Sequence, residues 1–111
     1  MNVERVPVPE MASFLERFSR GHEGWLTKVE RLDATRRAEL DSRERPLGGI
    51  VFDPDRNGVL VFLDDRPRKS LRYGIENTDQ LWRESSDRGV RLEISSTDGS
   101  TTIVECHPVG H

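Results

Sequence analysis

The sequence is poor in cysteine and in aromatic side chains: Cys106 is the single cysteine among 111 residues, and 6% of the chain is aromatic. A lone cysteine excludes an intramolecular disulfide and any zinc or redox site built on paired cysteines. No apolar run approaches the roughly 18 residues of a membrane span. The N-terminal residues also lack the basic and apolar regions of a signal peptide. These absences predict a cytoplasmic protein with no membrane partner.

An excess of charge of one sign is also missing. The chain has 17 basic and 20 acidic residues, a formal net charge of −3 and a pI near 5.6. The two signs are mixed along the chain, so no overall field attracts a nucleic acid or an anionic membrane. Apolar residues make up only 33% of the sequence. At this length and composition we expect a single domain, residues 1–111, with one thin core.

An amphipathic helix is predicted over residues 9–20. Pro9 suits the first helical position, and Gly21 is predicted to end the helix in the left-handed conformation. Residues 1–8 alternate valine with charge and proline, which indicates an extended arm at a sheet edge. The apolar face of the helix, spaced i, i+3, i+4 and i+7, consists of Met11, Phe14, Leu15 and Phe18.

Residues 24–107 are predicted to form an antiparallel sheet. Residues 47–52 and 59–63 are apolar, β-branched runs on either side of a turn-forming hexapeptide, so we expect them to pair as a hairpin. A last hairpin is predicted through a two-residue type I′ turn at Asp98 and Gly99. Residues 33–46 show no clear period; we predict a loop with a short strand at residues 38–41.

These elements together predict an α+β fold. One N-terminal helix packs on a curved antiparallel sheet, or on a small barrel-like roll, of about five or six strands. The apolar face of a helix this short needs the sheet, because a helix of about twelve residues is marginal alone in water.

Two adjacent runs at the joint between helix and sheet, FLERFSR at residues 14–20 and HEGWL at residues 22–26, have a distinctive sequence. They resemble the opening of a family of short uncharacterised bacterial proteins, a domain of unknown function. Later segments are similar to the same family: PLGGI at residues 46–50, LEI at 92–94 and DGSTT at 98–102. The resemblance covers most of the chain and implies a helix-plus-sheet fold and a bacterial, cytoplasmic origin. It implies no activity.

Four charged or aromatic residues cluster at this joint. A functional interpretation makes His22 a general base oriented by a carboxylate, or Trp25 a binding platform. In the structural interpretation, Trp25 seals the helix against the sheet while His22 and Glu23 bond the backbone at the helix end. The candidate contacts for a ligand or partner are Arg20, His22, Glu23 and Trp25.

The turn DPDRNG at residues 53–58 matches the start of a calcium-binding loop, with Asp53, Asp55 and Asn57 at ligand positions. In an EF-hand the twelfth loop residue curls back to the ion. Here that residue is Asp64, and an extended strand would carry it about 20 Å away from the turn. We therefore favour a polar hairpin turn in which Asp and Asn bond the backbone, and predict no metal.

The segment RPRKSLRY at residues 66–73 is a candidate anion contact. Its basic residues precede Tyr73, and phosphates or single-stranded nucleic acid bind such combinations. A helix followed by a small barrel is also the architecture of Sm-like RNA binders. Acidic residues directly upstream and the acidic balance oppose this interpretation, and a solvated charged turn is the simpler one. The four cations are Arg66, Arg68, Lys69 and Arg72.

No catalytic constellation is visible in the sequence, and a hydrolytic triad at His22 has no recognisable nucleophile. We therefore favour a non-enzymatic binding or regulatory module without a cofactor. Its partner would be an unidentified protein or small ligand, and a homodimer joined through a sheet edge is expected. The alternatives are a nucleic-acid-binding small barrel and an enzyme with its site near His22 and Glu23.

Overall fold

The structure, a computed structural model, describes residues 2–33, 35, 38–65 and 71–109. These residues form one α-helix and eight β-strands. In chain order the elements are β1 (Asn2–Val6), α1 (Met11–His22), β2 (Leu26–Leu32), β3 (Ala38–Asp53), β4 (Gly58–Leu63), β5 (Leu71–Ile75), β6 (Thr78–Ser86), β7 (Gly89–Ser96) and β8 (Thr101–His107).

All eight strands belong to one antiparallel sheet with the order β1-β6-β7-β8-β2-β3-β4-β5. The predicted class, α+β with one N-terminal helix, is confirmed. The predicted count of five or six strands is wrong. The sheet is also not a closed barrel-like roll in the described residues, because its order ends at two edges, β1 and β5.

The helix buries one face. Met11, Leu15 and Phe18 are at most 4% exposed, and each such side chain contributes about 1.5–3 kcal/mol when fully buried. The prediction that Gly21 ends the helix is wrong. Gly21 lies inside α1, and the left-handed glycine is Gly24, with φ +82°. The helix continues through Gly21 to His22, whose ring stacks on Phe18 one turn earlier.

The short strand predicted at residues 38–41 is the start of β3, a strand of 16 residues. The loop predicted over residues 42–46 is wrong, because these residues complete the first half of β3. This half pairs with β2, whereas Leu47 to Asp53 pair with β4. Because the described strands pair with this first half on one side only, it does not need the apolar pattern of a central strand. That is why its charged sequence gave no strand period.

The hairpin between β3 and β4 is confirmed, and its inward-facing residues Val59, Val61 and Leu63 are buried. The last hairpin joins β7 and β8, but the predicted type I′ turn is wrong. A three-residue loop lies between Ser96 and Ser100, with backbone hydrogen bonds from Gly99 N to Ser96 O and from Ser96 N to Ser100 O. Of its residues only Gly99 has a positive φ, +88°, which is typical of a type I turn followed by a left-handed glycine.

The helix takes the place of a strand neighbour along the second half of β3. The Ser19 hydroxyl donates to Ile50 O and accepts from Ile50 N, both at 2.8 Å. Ile50 is fully buried, and β2 does not extend far enough to pair with it. The Ser19 side chain therefore satisfies both backbone groups of Ile50, on the side of β3 that faces away from β4.

Candidate functional site

The end of α1 is fixed by stacked rings. The His22 ring lies parallel to Phe18, with centroids 4.0 Å apart at 15°, and meets the ring of Trp25 edge-on at 4.5 Å and 70°. Its Nδ1 is 2.7 Å from Phe18 O. A carbonyl oxygen only accepts, so Nδ1 carries a proton and donates it. The neutral ring therefore keeps Nε2 as a hydrogen-bond acceptor.

Gly24 and Trp25 turn the chain from the helix into the sheet. Gly24 N donates to Leu47 O, and Trp25 forms backbone hydrogen bonds with His22 and Leu47. The Trp25 side chain is half-buried and packs against the core. One face of the indole is therefore used for packing, as the structural interpretation expects, and part of it stays accessible.

A cavity of about 190 Å³ opens beside these rings, and we call it the joint pocket. Its other walls come from the end of β6, the turn that follows, the start of β7 and the residue after β8. The residues that line the joint pocket are His22, Trp25, Arg83, Ser85, Ser86, Asp87, Gly89, Val90 and Pro108.

Several polar groups of the joint pocket have no protein partner. Within the described part of the chain, the Trp25 indole N–H, the Ser85 hydroxyl and the Asp87 carboxylate have neither a hydrogen bond nor an ion pair. Arg83 has a long ion pair with Glu4, 3.9 Å. The residues that line the pocket thus include a cation, an anion, two hydrogen-bond donors and an aromatic ring.

A larger groove of about 430 Å³ adjoins the joint pocket and shares Ser86, Gly89 and Val90 with it. It is also lined by Arg91, whose Nε is buried without a hydrogen-bond partner. Cys106 forms part of the same wall. Burial raises the pKa of its thiol to about 11, and the Thr27 hydroxyl donates to the sulfur at 3.3 Å. This cysteine is therefore not a reactive thiolate at neutral pH.

The structure brings together two of the four residues predicted at the joint. His22 and Trp25 line the joint pocket, whereas Arg20 and Glu23 are exposed and do not. Arg20 pairs with Glu16 one turn earlier. Because Nδ1 of His22 is bonded to Phe18 O, a carboxylate such as Glu23 does not orient the ring through that nitrogen. Arg83, Ser85 and Asp87 had no sequence signal, since they lie about sixty residues away on another hairpin.

The calcium-like turn forms a short 3-10 turn, Pro54–Arg56. Asp53 accepts from Asp55 N at 3.1 Å with one oxygen and from Arg56 at 3.1 Å with the other. Asn57 is left-handed, with φ 46°, and its side-chain amide donates to Thr78 O at 3.3 Å. Among residues 2–33, 35, 38–65 and 71–109, no three His, Cys, Asp or Glu side chains are grouped as metal ligands.

Beside this turn, an open cleft of about 430 Å³ follows β4 and β5. Gly58 and Gly74, which lack side chains, form part of its surface. Three arginines and three carboxylates also line it, and most of them neutralise one another: Arg56 pairs with Asp53 and Glu76, and Arg31 with Asp98. Arg72 is the exception, with no ion-pair partner among the described residues.

The other three cations of the predicted anion contact lie outside the described residues, so the structure does not test that prediction; they are Arg66, Arg68 and Lys69. The two acidic residues just upstream, Asp64 and Asp65, are both described. Asp65 is buried and accepts from Arg45 Nε at 3.0 Å. This carboxylate is therefore neutralised internally and adds no field at the surface.

Comparison with known proteins does not extend these observations. No family model, no curated protein and no solved structure matches this chain. Among the described residues, α1 is the single helix longer than one turn, and it falls short of the length and apolarity that a membrane span requires.

Proposed function

We propose that this chain is a non-enzymatic binding module and that the joint pocket is its ligand site. One observation carries the proposal: Trp25, Ser85 and Asp87 line one cavity, and their side-chain polar groups have no partner among the described residues. A concave site with an aromatic wall and a few convergent polar groups is typical of small-molecule binding.

The charges of the pocket indicate the class of ligand. Arg83, held only loosely by Glu4, suits a carboxylate, and Asp87 suits an amine. Trp25 offers an apolar face between them. At about 190 Å³ the pocket has the liquid volume of about six water molecules, so it holds a group of no more than about ten non-hydrogen atoms. We therefore propose a small ligand with both an amine and a carboxylate, such as a free amino acid.

Thermal unfolding with each common free amino acid at millimolar concentration tests this proposal. A ligand that binds only the native state raises the unfolding temperature. We expect a subset of the amino acids to do so, and expect Asp87→Asn and Trp25→Phe to abolish the effect. Glu23→Gln is the matched control, because Glu23 lies at the same joint but outside the pocket. The proposal would be refuted if no amino acid raised the unfolding temperature. It would also be refuted if the same amino acids still stabilised Asp87→Asn.

The proposal keeps the cytoplasmic location and the bacterial family membership that the resemblance implies. It also includes the predicted homodimer, joined through one of the two sheet edges. Nucleic-acid binding remains a prediction of the basic turn alone. Its test is binding to a mixed oligonucleotide pool, which must weaken steeply with added salt if phosphates are contacted.

A further inference from the structure

The two sheet edges differ in chemistry. The edge strand β1 contains the exposed charged residues Glu4 and Arg5 and is followed by Pro7. Charges and proline at an edge strand oppose its pairing with another chain. β5 pairs with β4 on one side, and no described strand lies on its other side. Its residues alternate between an inward face, where Ile75 is buried, and an outward face, where Arg72 and Gly74 are exposed.

Apolar and charged side chains share the outward surface next to β5. Val51, on β3, is 43% exposed, and Leu60 and Phe62, on β4, are half-buried on the same side, beside the charged cleft. The outward surface of the opposite half of the sheet is also mixed, since Val3 on β1 is 56% exposed opposite Glu84. A row of alternating charges crosses four neighbouring strands there, and it consists of Glu84, Arg91, Glu105 and Lys28. The choice between the two edges therefore rests on the sequence of each edge strand.

The segment RYGIE, residues 72–76, is complementary to itself when run antiparallel about Gly74. In that register Arg72 lies opposite Glu76 of the second copy, and Glu76 opposite Arg72 of the second copy. Tyr73 lies opposite Ile75 of the second copy, which extends the inward apolar row. The two Gly74 residues meet at the centre, where no side chain obstructs close approach.

The charges of the monomer agree with this register. Arg72 is the one arginine of its cleft without an ion-pair partner in the described chain. Glu76 is exposed, and its contact with Arg56 at 3.5 Å leaves carboxylate lone pairs for a second guanidinium. Directly opposed charges of opposite sign stabilise a strand pair, and like charges destabilise it.

We infer that two copies of this chain pair through β5, antiparallel about Gly74, with Arg72 and Glu76 in reciprocal ion pairs. The inference rests on the homodimer part of the proposed function and specifies which edge and which register it uses. The assembly joins two eight-stranded sheets into one, and a twofold axis passes between the Gly74 residues.

A single cysteine at the axis tests the register directly. Opposed residues in antiparallel strands have Cα atoms about 4.5–5.5 Å apart, within the range of a disulfide. Gly74 has ordinary φ, and an added Cβ would lie 3.6 Å from Leu60 Cδ2, so Gly74→Cys should fold. The native Cys106 is buried and does not compete. We expect Gly74→Cys to form a covalent dimer on mild oxidation, and Val3→Cys on β1 to remain monomeric.

Sedimentation equilibrium of charge-reversal variants tests the ion pairs. Arg72→Glu or Glu76→Arg alone should raise the dimer dissociation constant by about tenfold or more, because each reversal opposes like charges twice. The double exchange should restore dimerisation, and Arg17→Glu on the exposed helix surface should leave it unchanged. A dimer in solution without a Gly74→Cys crosslink would refute the register alone. A chain that stays monomeric at the highest soluble concentration would refute the dimer itself.

Discussion

Replacing Ser19 with alanine tests how the helix is joined to the sheet. The change removes the hydroxyl that bonds both Ile50 N and Ile50 O at 2.8 Å. A buried backbone group left without a partner costs about 1–3 kcal/mol, so two such groups cost about 2–6 kcal/mol. The better helix propensity of alanine returns less than about 0.7 kcal/mol. Because Ser19 is half-buried and water reaches part of the gap, we expect a net loss of about 2–3 kcal/mol.

Urea unfolding measures this loss as a lower midpoint with an unchanged slope. At a slope of about 1–3 kcal/mol per molar urea, the midpoint should fall by roughly 0.7–3 M. Ser13→Ala is the matched control, because the Ser13 hydroxyl donates to Glu10 O from an exposed position on the same helix. That variant should change stability by no more than about 0.5 kcal/mol. Equal midpoints for the two variants would show that Ile50 does not depend on the helix.

Three further predictions concern the other polar groups of the fold. Arg45→Met leaves the buried Asp65 carboxylate without its cation, and we expect the free energy of unfolding in urea to fall by about 3–5 kcal/mol. The double variant with Asp65→Leu should recover most of this loss. Equal stability of the single and double variants would contradict the prediction. The hydroxyl and backbone N–H of Ser100 hold the pKa of Asp98 below its usual value, so this carboxyl stabilises the fold above its unfolded pKa of about 3.8 and less as pH falls below that. Ser100→Ala should raise the pKa of Asp98 in a carboxyl NMR titration, and an unmoved titration would count against the contact. Burial raises the pKa of Cys106 from 9.0 to about 11, so the stability that the neutral thiol contributes below pH 9 should decline as pH rises toward 11. A thiol reagent should react with the native protein much more slowly than with the urea-unfolded protein, and equal rates would contradict burial.

Local patterns predicted the elements whose neighbours lie close in sequence. The helix and the β3–β4 hairpin were readable because their apolar spacing reports burial on one face. The long β3 was not, because its first half has a single strand partner in the described part of the chain and tolerates charge there. The extension of α1 past Gly21 was not predicted, because a single glycine is tolerated inside a helix and the ring contacts of His22 with Phe18 and Trp25 give no separate sequence signal.

The residues of the candidate site also separate into those that the sequence predicted and those that it did not. His22 and Trp25 could be selected from sequence because they lie at a visible change of period. Arg83, Ser85 and Asp87 could not, since the strand order that brings β6 beside the helix end depends on long-range pairing. Glu23 was a reasonable candidate by proximity, but the chain turns at Gly24 and leaves its side chain exposed.

The two indole N–H signals in an amide correlation spectrum test the binding site most directly. Trp25 lines the joint pocket and its Nε1 has no partner among the described residues, whereas Trp82 Nε1 donates to Gln80 at 3.3 Å outside the pocket, so the second signal is an internal control. On titration with the most stabilising amino acid, we predict that the Trp25 signal shifts and saturates while the Trp82 signal stays, and that Asp87→Asn removes the response. A stabilised protein whose Trp25 signal does not move would contradict the assignment of the joint pocket as the ligand site.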